Sequence, residues 1–338
     1  MDVPEYELPE RAIAQHPAEP RDSARLLDAT DRAGVITHRS VRDLPHVVRP
    51  GDLLVVNTSR VIPARLRLFK QTGGSAEVLL LGPEPAQGPG VWSALVRPGR
   101  RLRPGTTLHA RQNGPVLVEV GKRVEPDDAD DGRRYVTFAG NPGEVLQQVG
   151  TIALPPYIHE PLEDPERYQT VYSEQPGSVA APTAGLHLTN ELLDRCREKG
   201  ASVAAVDLAV GLATFKPIAT KDADAHVIHS ERYRVPEQTL EACELAERVV
   251  AVGTTTVRAL ETAASTGELE GDSRLYIRGD FPFRVVDVLL TNFHMPRSSL
   301  LLLIESFCGP RWRGLYAQAL GRGYRFLSFG DAMIVGRR

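Results

Sequence analysis

The feature that most constrains the fold is a change of pattern between about residues 65 and 155. Short β-like runs follow one another there, separated by Gly, Pro and Asp clusters, with one helical pattern at Pro142–Val149. Such spacing favours a small β-barrel or sandwich. On both sides strand and helix patterns alternate, which favours a mostly parallel sheet covered by helices. We therefore predict an α/β fold class with a discontinuous α/β body, residues 1–64 and 156–338, and an inserted small β-barrel domain, residues 65–155.

The body carries the clearest single elements. A buried strand that ends in polar residues is predicted at Gly51–Asn57, around the apolar run Leu53–Val56. The other predicted elements are strands at Ala201–Leu208, Arg248–Val252, Arg284–Leu290 and Tyr324–Phe329, and helices at Asn190–Lys199, Glu237–Glu247, residues 254–263, from Ser298 and at Tyr316–Leu320. No period of 20–50 residues repeats, which excludes solenoids and propellers.

Composition excludes several classes of protein. Hydrophobic residues make up 42% and charged residues 25%, as in globular proteins rather than disordered ones. Three widely spaced cysteines without a Cys-x-x-Cys pair argue against a disulfide framework and a thiolate zinc site. The acidic N-terminus lacks the apolar region of a signal peptide, and the longest apolar run, Leu300–Ile304, is too short to span a bilayer. We expect a cytoplasmic protein that does not contact a membrane.

The net charge of −3 argues at first against a nucleic-acid partner. Its distribution argues the other way. Residues 60–110 hold eight basic and two acidic side chains, and residues 309–338 hold six arginines and one aspartate. Such clusters suit phosphate-backbone binding, although a solvated basic face without a partner has the same composition.

The first of four polar loops follows the strand at 51–57. It carries Asn57, Arg60 and Arg65, and an arginine offers a planar fork of donors that fits carboxylate or phosphate. Ligands of open α/β sheets bind beyond the carboxyl ends of strands, where this loop lies. The simpler alternative is a turn whose arginine pairs with a nearby acid.

The second loop, residues 177–189, is rich in small residues that let a backbone approach a ligand closely. It contains Thr183, Gly185 and His187. The alternative is a tight loop leading into the next helix, with His187 packed against it.

The third loop joins a strand to a helix through Gly253, Thr254 and Thr255, with Arg258 one turn later. Free N–H groups and the positive end of the helix dipole meet there, which makes a general anion site. Helix capping alone is the alternative, and the Gly-Lys-[Ser/Thr] of a Walker loop is missing.

The fourth loop contains Asn292, Phe293 and His294, again between a strand and a helix. An amide and an imidazole that flank an aromatic ring are a plausible arrangement for reading a base. A lone loop histidine is more often structural.

Other motifs give weaker evidence for a function. The His226–His229 pair lacks the glutamate of the zinc-protease helix, so solvent-facing or hydrogen-bonded histidines are favoured over a metal site. No Gly-x-Gly-x-x-Gly follows a strand and no Gly-x-Ser-x-Gly elbow occurs, so dinucleotide binding and serine hydrolysis are not indicated.

Several longer stretches carry a family resemblance that runs almost from end to end. They are Tyr6–Pro9, Ile13–Gln15, Arg25–Leu27, Gly51–Asn57, Arg60–Leu66, Leu154–Ile158, Asp164, Arg167–Tyr172, Gly177–His187, His229–Glu231, Val250–Thr255, Arg258, Leu260–Glu261, Asp287, Leu290–His294, Pro296, Tyr324–Phe326 and Gly330–Met333. In these stretches the chain resembles the S-adenosylmethionine:tRNA ribosyltransferase-isomerase family of the queuosine pathway.

The resemblance implies a monomeric cytoplasmic enzyme with an α/β body and a β-barrel insertion. It implies transfer of the ribosyl part of S-adenosylmethionine to 7-aminomethyl-7-deazaguanine at the tRNA wobble position, giving epoxyqueuosine, adenine and methionine. S-adenosylmethionine is then a consumed substrate, with tRNA as partner and with neither a metal nor a resident cofactor.

That chemistry needs a base for a C5′ hydrogen next to the sulfonium and a donor at the departing adenine, and groups titrating near neutrality suit both tasks. The candidate catalytic residues are His187, His229, Glu231, His294 and Asp331. The candidate substrate-binding residues are Asn57, Arg60, Arg65, Thr183, Gly185, Thr214, Phe215, Gly253, Thr254, Thr255, Arg258, Asn292 and Phe293. Among these, Arg60 or the Thr254–Thr255 helix start would hold the methionine carboxylate.

The chain departs from the family pattern at Thr58, Ala209, Ala213 and Gly279–Asp280. We expect these positions in active-site loops. Two alternatives therefore stay open at this point: a diverged paralogue that uses S-adenosylmethionine with another acceptor, and a non-catalytic tRNA-binding protein.

Overall fold

The computed structural model describes residues 2–31, 33–124, 132–211, 217–220, 222–226, 228 and 230–338. The chain divides into two compact units. The body unit comprises residues 1–60, 155–175 and 181–338, and the barrel unit comprises residues 61–154 and 176–180.

Numbered along the chain, the strands are β1 (Arg25–Ala29), β2 (Thr37–Ser40), β3 (Asp52–Asn57), β4 (Ser59–Val61), β5 (Arg65–Lys70), β6 (Ser75–Pro83), β7 (Val91–Arg97), β8 (Thr106–His109), β9 (Val116–Arg123), β10 (Arg133–Phe138), β11 (Gly150–Thr151), β12 (Gln175–Ser178), β13 (Ser202–Leu208), β14 (Glu231–Arg234), β15 (Arg248–Val252), β16 (Glu270–Ser273), β17 (Val288–Asn292) and β18 (Ala332–Gly336). The α-helices are α1 (Pro142–Val149), α2 (Asn190–Glu198), α3 (Glu237–Leu245), α4 (Thr254–Thr266), α5 (Ser299–Cys308) and α6 (Trp312–Gly321).

The body unit is built on a nine-stranded sheet in the order β16-β14-β13-β3-β15-β17-β18-β1-β2. Its centre, β13-β3-β15-β17, is parallel, and β18 pairs with β1 in parallel. The remaining pairs are antiparallel, so the prediction of a mostly parallel sheet is met only in part. Central strands such as β3 are buried along their whole length, which explains the apolar run Leu53–Val56.

The barrel unit contains a six-stranded antiparallel barrel in the order β5-β6-β7-β10-β9-β8, closed by pairing of β5 with β8. Alternate residues of β6 are buried, as a barrel with a filled interior requires. Asn141 caps the start of helix α1, its side chain accepting the Gly143 N–H, and the short strand β11 pairs with β5.

Two predicted strands are placed differently by the structure. Tyr324–Phe329 is a turn rather than a strand, because Leu327 has a φ of +67° and the Asp331 carboxylate accepts the Arg325 N–H at 2.8 Å. The last strand is β18. Strand β17 begins at Val288 rather than Arg284.

The late start of β17 has a specific cause. The fully buried carboxylate of Glu261, on α4, accepts the backbone N–H groups of Arg284, Val285 and Val286 at 2.8–3.0 Å. These donors are therefore not available to a sheet ladder.

No helix in the described part of the chain is long and apolar enough to cross a membrane.

Candidate active site

The carboxyl ends of the parallel strands β13, β3, β15 and β17 meet at one edge of the nine-stranded sheet. Val206 of β13 lies opposite Asn57 of β3, and Val252 of β15 lies opposite Leu290 of β17. The loops that follow these strands therefore start at this edge, and their polar residues lie where ligands of such sheets bind.

Asn57 ties three of these segments together. Its side-chain nitrogen donates to the Leu208 carbonyl at 3.0 Å and to Thr255 Oγ1 at 3.2 Å, and its side-chain oxygen accepts the N–H groups of Leu208 and Ser59 at 3.1 Å. The amide is buried and its hydrogen-bonding capacity is used up. Asn57 therefore positions Thr255 and does not itself offer a group to a ligand.

Helix α4 begins at this edge. Gly253 precedes it with a φ of +90°, a backbone conformation that favours glycine, and no side chain caps the helix. Thr256 bonds back to the Val252 carbonyl at 2.7 Å. The first turn thus presents the Thr254 and Thr255 hydroxyls together with uncapped N–H groups, which favour an anion.

A second polar network surrounds Asn292. Thr183 Oγ1 donates to its side-chain oxygen at 2.8 Å, and its side-chain nitrogen lies 3.2 Å from His187 Nε2 and 3.5 Å from the Asp331 carbonyl. Because an amide nitrogen only donates, His187 Nε2 accepts. Burial lowers the pKa of His187 to about 4, so its ring is neutral at pH 7 and fixes the orientation of Asn292.

His294 lies beside this network. Its Nε2 is 2.9 Å from Thr291 Oγ1, its backbone N–H donates to the Tyr316 hydroxyl at 3.0 Å, and its carbonyl accepts from Tyr6 at 2.5 Å. Burial lowers the pKa of the ring to about 3. The prediction that the site histidines titrate near neutrality does not hold for either described ring.

These groups border one cleft in the body unit. Seven predicted site residues line it: Thr183, Gly253, Thr254, Thr255, Asn292, Phe293 and His294. The other lining residues were not among the predicted site residues: Tyr157, Ala181, Pro182, Ala184, Val210, Thr291, Met295, Ser298, Leu300, Leu327 and Ser328. None of these described lining residues carries a full charge at pH 7. Tyr157 and Ser328 bond to each other at 2.8 Å, a pairing of distant segments that no local sequence signal reveals.

Phe293 supports the loop rather than offering an open ring face. It is fully buried, stacks on Phe326 with centroids 4.7 Å apart, and contacts Tyr316 edge to face at 5.3 Å. Tyr6 and Trp312 complete this aromatic cluster. Phe293 lines the cleft as predicted, and it is held there by this cluster between Asn292 and His294.

The two loop arginines predicted as ligands have partners elsewhere. Arg60 donates to Glu166 at 2.6 Å and to Ser173 at 2.9 Å, and Arg65 lies in the barrel unit 3.7 Å from Glu77. Neither lines the cleft. The alternative, an arginine paired with a nearby acid, therefore describes both, and the start of α4 is the better place for a carboxylate.

Glu231 and Arg258 form a buried ion pair with each other. Glu231 also accepts the Gly211 N–H at 2.9 Å, and Arg258 donates to the carbonyls of Leu275 and Ser273. Neither residue lines the cleft, so the geometry indicates a structural pair rather than a base and a substrate ligand. Asp331 is likewise committed, to Arg25 and Arg325, and reaches the site only through its carbonyl.

Gly185 is required by packing and not by ligand approach. A Cβ there would lie 2.1 Å from the Tyr172 hydroxyl and 2.9 Å from Thr170. His229, Thr214 and Phe215, predicted at the site, lie outside the described residues. Among the described residues, no group of three or more His, Cys, Asp or Glu side chains could hold a metal ion.

The departures from the family pattern do not line the cleft where the structure describes them. Thr58 bonds to the Val206 carbonyl, the Ala209 N–H donates to the Arg232 carbonyl, the Gly279 carbonyl accepts from Ser306, and Asp280 pairs with Arg338. Ala213 lies outside the described residues. Thr58 nevertheless follows Asn57, and Ala209 precedes the cleft residue Val210, so these two positions lie in loops at the site without lining the cleft.

A cleft at the carboxyl edge of parallel strands, with a helix N-terminus and a neutral histidine in its wall, is the arrangement of an α/β enzyme. Comparison with known proteins identifies which enzyme family this is. Residues 2–335 match the model of the queuosine biosynthesis protein family, and the chain belongs to that family.

Relatives and a solved structure agree over the full length. The chain is 47% identical to the S-adenosylmethionine:tRNA ribosyltransferase-isomerase of Synechococcus elongatus, over 99% of this chain and 95% of that protein. It is 46% identical to the enzyme of the same name from Thermus thermophilus, over 99% of both. The crystal structure of S-adenosylmethionine tRNA ribosyltransferase from Thermotoga maritima superposes with a TM-score of 0.54 and 36% identity, over 98% of this chain and 99% of that one. The predicted family resemblance, fold class and enzymatic nature are confirmed.

Proposed function

We propose that this enzyme transfers the ribosyl moiety of S-adenosylmethionine to 7-aminomethyl-7-deazaguanine at the wobble position of tRNA, and that epoxyqueuosine, adenine and methionine are the products. The observation that carries the proposal is the cleft itself, which combines an anion site at the start of α4 with a neutral base and a fixed amide. Full-length similarity to enzymes named for this reaction supports it.

The start of α4 suits the methionine end of the substrate. Its carboxylate would accept from the Thr254 and Thr255 hydroxyls and the uncapped N–H groups of the first turn. The cleft wall has no carboxylate among its described residues, so this end of the substrate meets no like charge.

His294 suits the removal of the C5′ proton. When its Nε2–H donates to Thr291, the Nδ1 lone pair is the remaining acceptor of the ring. Its low pKa keeps the ring unprotonated at pH 7. Proton transfer from the carbon beside the sulfonium moves one positive charge from substrate to imidazole without creating a new one, which limits the electrostatic cost of a charged histidine in a buried site.

Asn292 suits recognition of a planar ring, either the departing adenine or the acceptor base. Thr183 and His187 hold its amide in one orientation, so its donor and acceptor face fixed directions. Pre-organised polar groups of this kind stabilise charge that develops during a reaction. S-adenosylmethionine is consumed as a substrate, and the enzyme acts as a cytoplasmic monomer without metal or resident cofactor.

The test is an assay with tRNA carrying 7-aminomethyl-7-deazaguanine and S-adenosylmethionine. Adenine release is measured by liquid chromatography and epoxyqueuosine by mass spectrometry of digested tRNA. We expect both products from the wild type and neither from tRNA with guanine at the wobble position. For Asn292→Ala and His294→Ala we expect kcat to fall by a factor of roughly 10² or more. Adenine at the enzyme-free level with the wild type would overturn the proposal.

A further inference from the structure

A second polar surface lies at the far edge of the nine-stranded sheet, on β1, β2 and the turn after α6. We call it the arginine groove, and the residues that define it are Arg25, His38, Arg39, Asp43, Arg322 and Tyr324. It is open to solvent and uses neither the cleft residues nor the barrel unit. Its lining holds three arginines and one acid, and two of the arginines, Arg25 and Arg39, pair with the carboxylates of Asp331 and Asp28.

Arg25 is held as a fixed cation at the base of the groove. Its Nε donates to Asp331 at 3.2 Å, and its two terminal nitrogens donate to the carbonyls of Arg322 and Gly323. Its guanidinium lies 4.2 Å from the centre of the Tyr324 ring. Each terminal nitrogen has two N–H groups, so each retains a donor after these bonds are made.

The other two arginines add charge that the protein neutralises only in part. Arg39 bonds to Asp28 through Nε at 3.2 Å, which leaves its terminal nitrogens for a ligand. The exposed Arg322 side chain makes no hydrogen bond or ion pair with the described residues. The single acid, Asp43, already accepts the Ser40 N–H at 3.0 Å. The three arginines thus meet three carboxylates, those of Asp28, Asp43 and Asp331, and what the groove offers a ligand is the remaining N–H donors of Arg25 and Arg39 together with the exposed Arg322 side chain.

A single residue, Asp331, connects the arginine groove to the cleft. Asp331 holds Arg25 with its carboxylate and accepts from Asn292 with its carbonyl, at 3.2 Å and 3.5 Å respectively. Asn292 lines the cleft. A chain of phosphates that leads away from a base held at Asn292 would thus find arginines within a short distance.

We propose that the arginine groove binds a phosphate of the RNA backbone near the nucleotide that occupies the cleft. One guanidinium group can donate two parallel hydrogen bonds to two oxygens of a phosphate. An open groove also admits a polymer that continues in both directions. The inference rests on the proposed function for the identity of the RNA, but the groove's own contribution is measurable by binding alone.

The experiment measures binding of a fluorescently labelled, unmodified tRNA anticodon stem-loop to the full chain between 50 and 200 mM salt. Arg322→Ala removes the least committed arginine without disturbing the backbone carbonyl that Arg25 uses, and Arg322→Lys keeps the charge. The matched control is Arg274→Ala, an exposed arginine that follows β16 at the opposite edge of the sheet. Eight strand spacings separate the two edges, about 38 Å at ~4.8 Å each, which is several Debye lengths.

We expect Arg322→Ala to weaken binding roughly 3- to 10-fold at 50 mM salt and to lower the slope of log affinity against log salt by about 0.7–0.9, the value of one phosphate contact. Arg322→Lys should keep most of the slope, and Arg274→Ala should match the wild type. In turnover assays the Arg322→Ala effect should appear in the KM for tRNA and not in the KM for S-adenosylmethionine.

Two outcomes separate this inference from the proposed function. Equal affinity and equal salt slope for Arg322→Ala and Arg274→Ala would overturn the groove as a phosphate site, even if the wild type forms epoxyqueuosine. A selective loss of RNA binding in Arg322→Ala, combined with no adenine release by the wild type, would support the groove and overturn the reaction.

Discussion

The neutral state of two buried histidines, His294 in the cleft wall and His187 behind Asn292, makes a quantitative prediction about acid stability. Burial lowers the pKa of His294 to about 3, against about 6.5 in an unfolded chain. Below pH 6.5 the unfolded chain binds a proton that the folded chain does not, so stability that is present above pH 6.5 is lost as the pH falls toward 3. The loss reaches about 2 kcal/mol at pH 5, relative to pH 7.

His187 makes a similar contribution, because burial lowers its pKa to about 4. The two rings together should therefore remove about 4 kcal/mol from the free energy of unfolding between pH 7 and pH 5. His294→Gln replaces one ring with a group that does not titrate and retains a donor for Thr291. Whatever it costs at pH 7, the variant should lose about 2 kcal/mol less than the wild type on going to pH 5.

Urea unfolding at the two pH values measures this difference. A Trp92→Phe background leaves Trp312 as the only tryptophan, and Trp312 packs in the aromatic cluster next to the His294 loop, so its fluorescence reports the unit concerned. The control for the substitution itself is His46→Gln, which replaces an exposed histidine far from the aromatic cluster in sequence and is measured at the same two pH values. If His294→Gln and the wild type lose the same free energy between pH 7 and pH 5, the argument that His294 is buried and neutral is wrong.

Two further predictions concern packing around the site. Gly185→Ala should destabilise the chain by about 1–3 kcal/mol, because the new methyl group collides with Tyr172. The control, Gly314→Ala in α6, where nothing lies within 4 Å of the added Cβ, should be neutral or stabilising by up to about 1 kcal/mol. Thermal unfolding compares the two variants, and equal melting temperatures would contradict the collision. Glu231→Ala should lower the free energy of unfolding by about 3–5 kcal/mol, because it leaves Arg258 buried without its partner. The double variant Glu231→Leu, Arg258→Met should recover much of that loss. A double variant no more stable than the single one would show that the broken ion pair is not the cause.

The fold was predictable where the local pattern and the tertiary role agree. Strand β15 and helix α1 have the predicted bounds, because an apolar run between turn signals and a capped helix both specify themselves locally. Strands β1 and β2 escaped prediction, since β2 is a polar edge strand and β1 offers only a short apolar run. The aromatic residues at 324–329 suggest a strand, but they fill the core from a turn.

The candidate site shows the same division. Loops that follow parallel strands were predictable, since the carboxyl ends of such strands share an edge, and this rule found Thr254, Asn292 and His294. The roles of Arg60 and Glu231 were not, because a sequence shows that a side chain is charged but not which partner it already has. Spatial neighbours such as Tyr157 and Ser328 become visible only once the chain is folded.

The parallel pairing of β1 with β18 has a consequence for how the chain is made. Leu26 lies opposite Ala332, so the first strand of the sheet needs a neighbour that is translated 306 residues later. At ~5–20 residues per second, β1 waits roughly 15–60 s on the ribosome for that neighbour. The barrel strands all lie between residues 65 and 138 and can close much earlier. During synthesis β2 can pair with one edge of β1 while the other edge stays open until β18 emerges, and loss of the last seven residues would leave that edge unpaired.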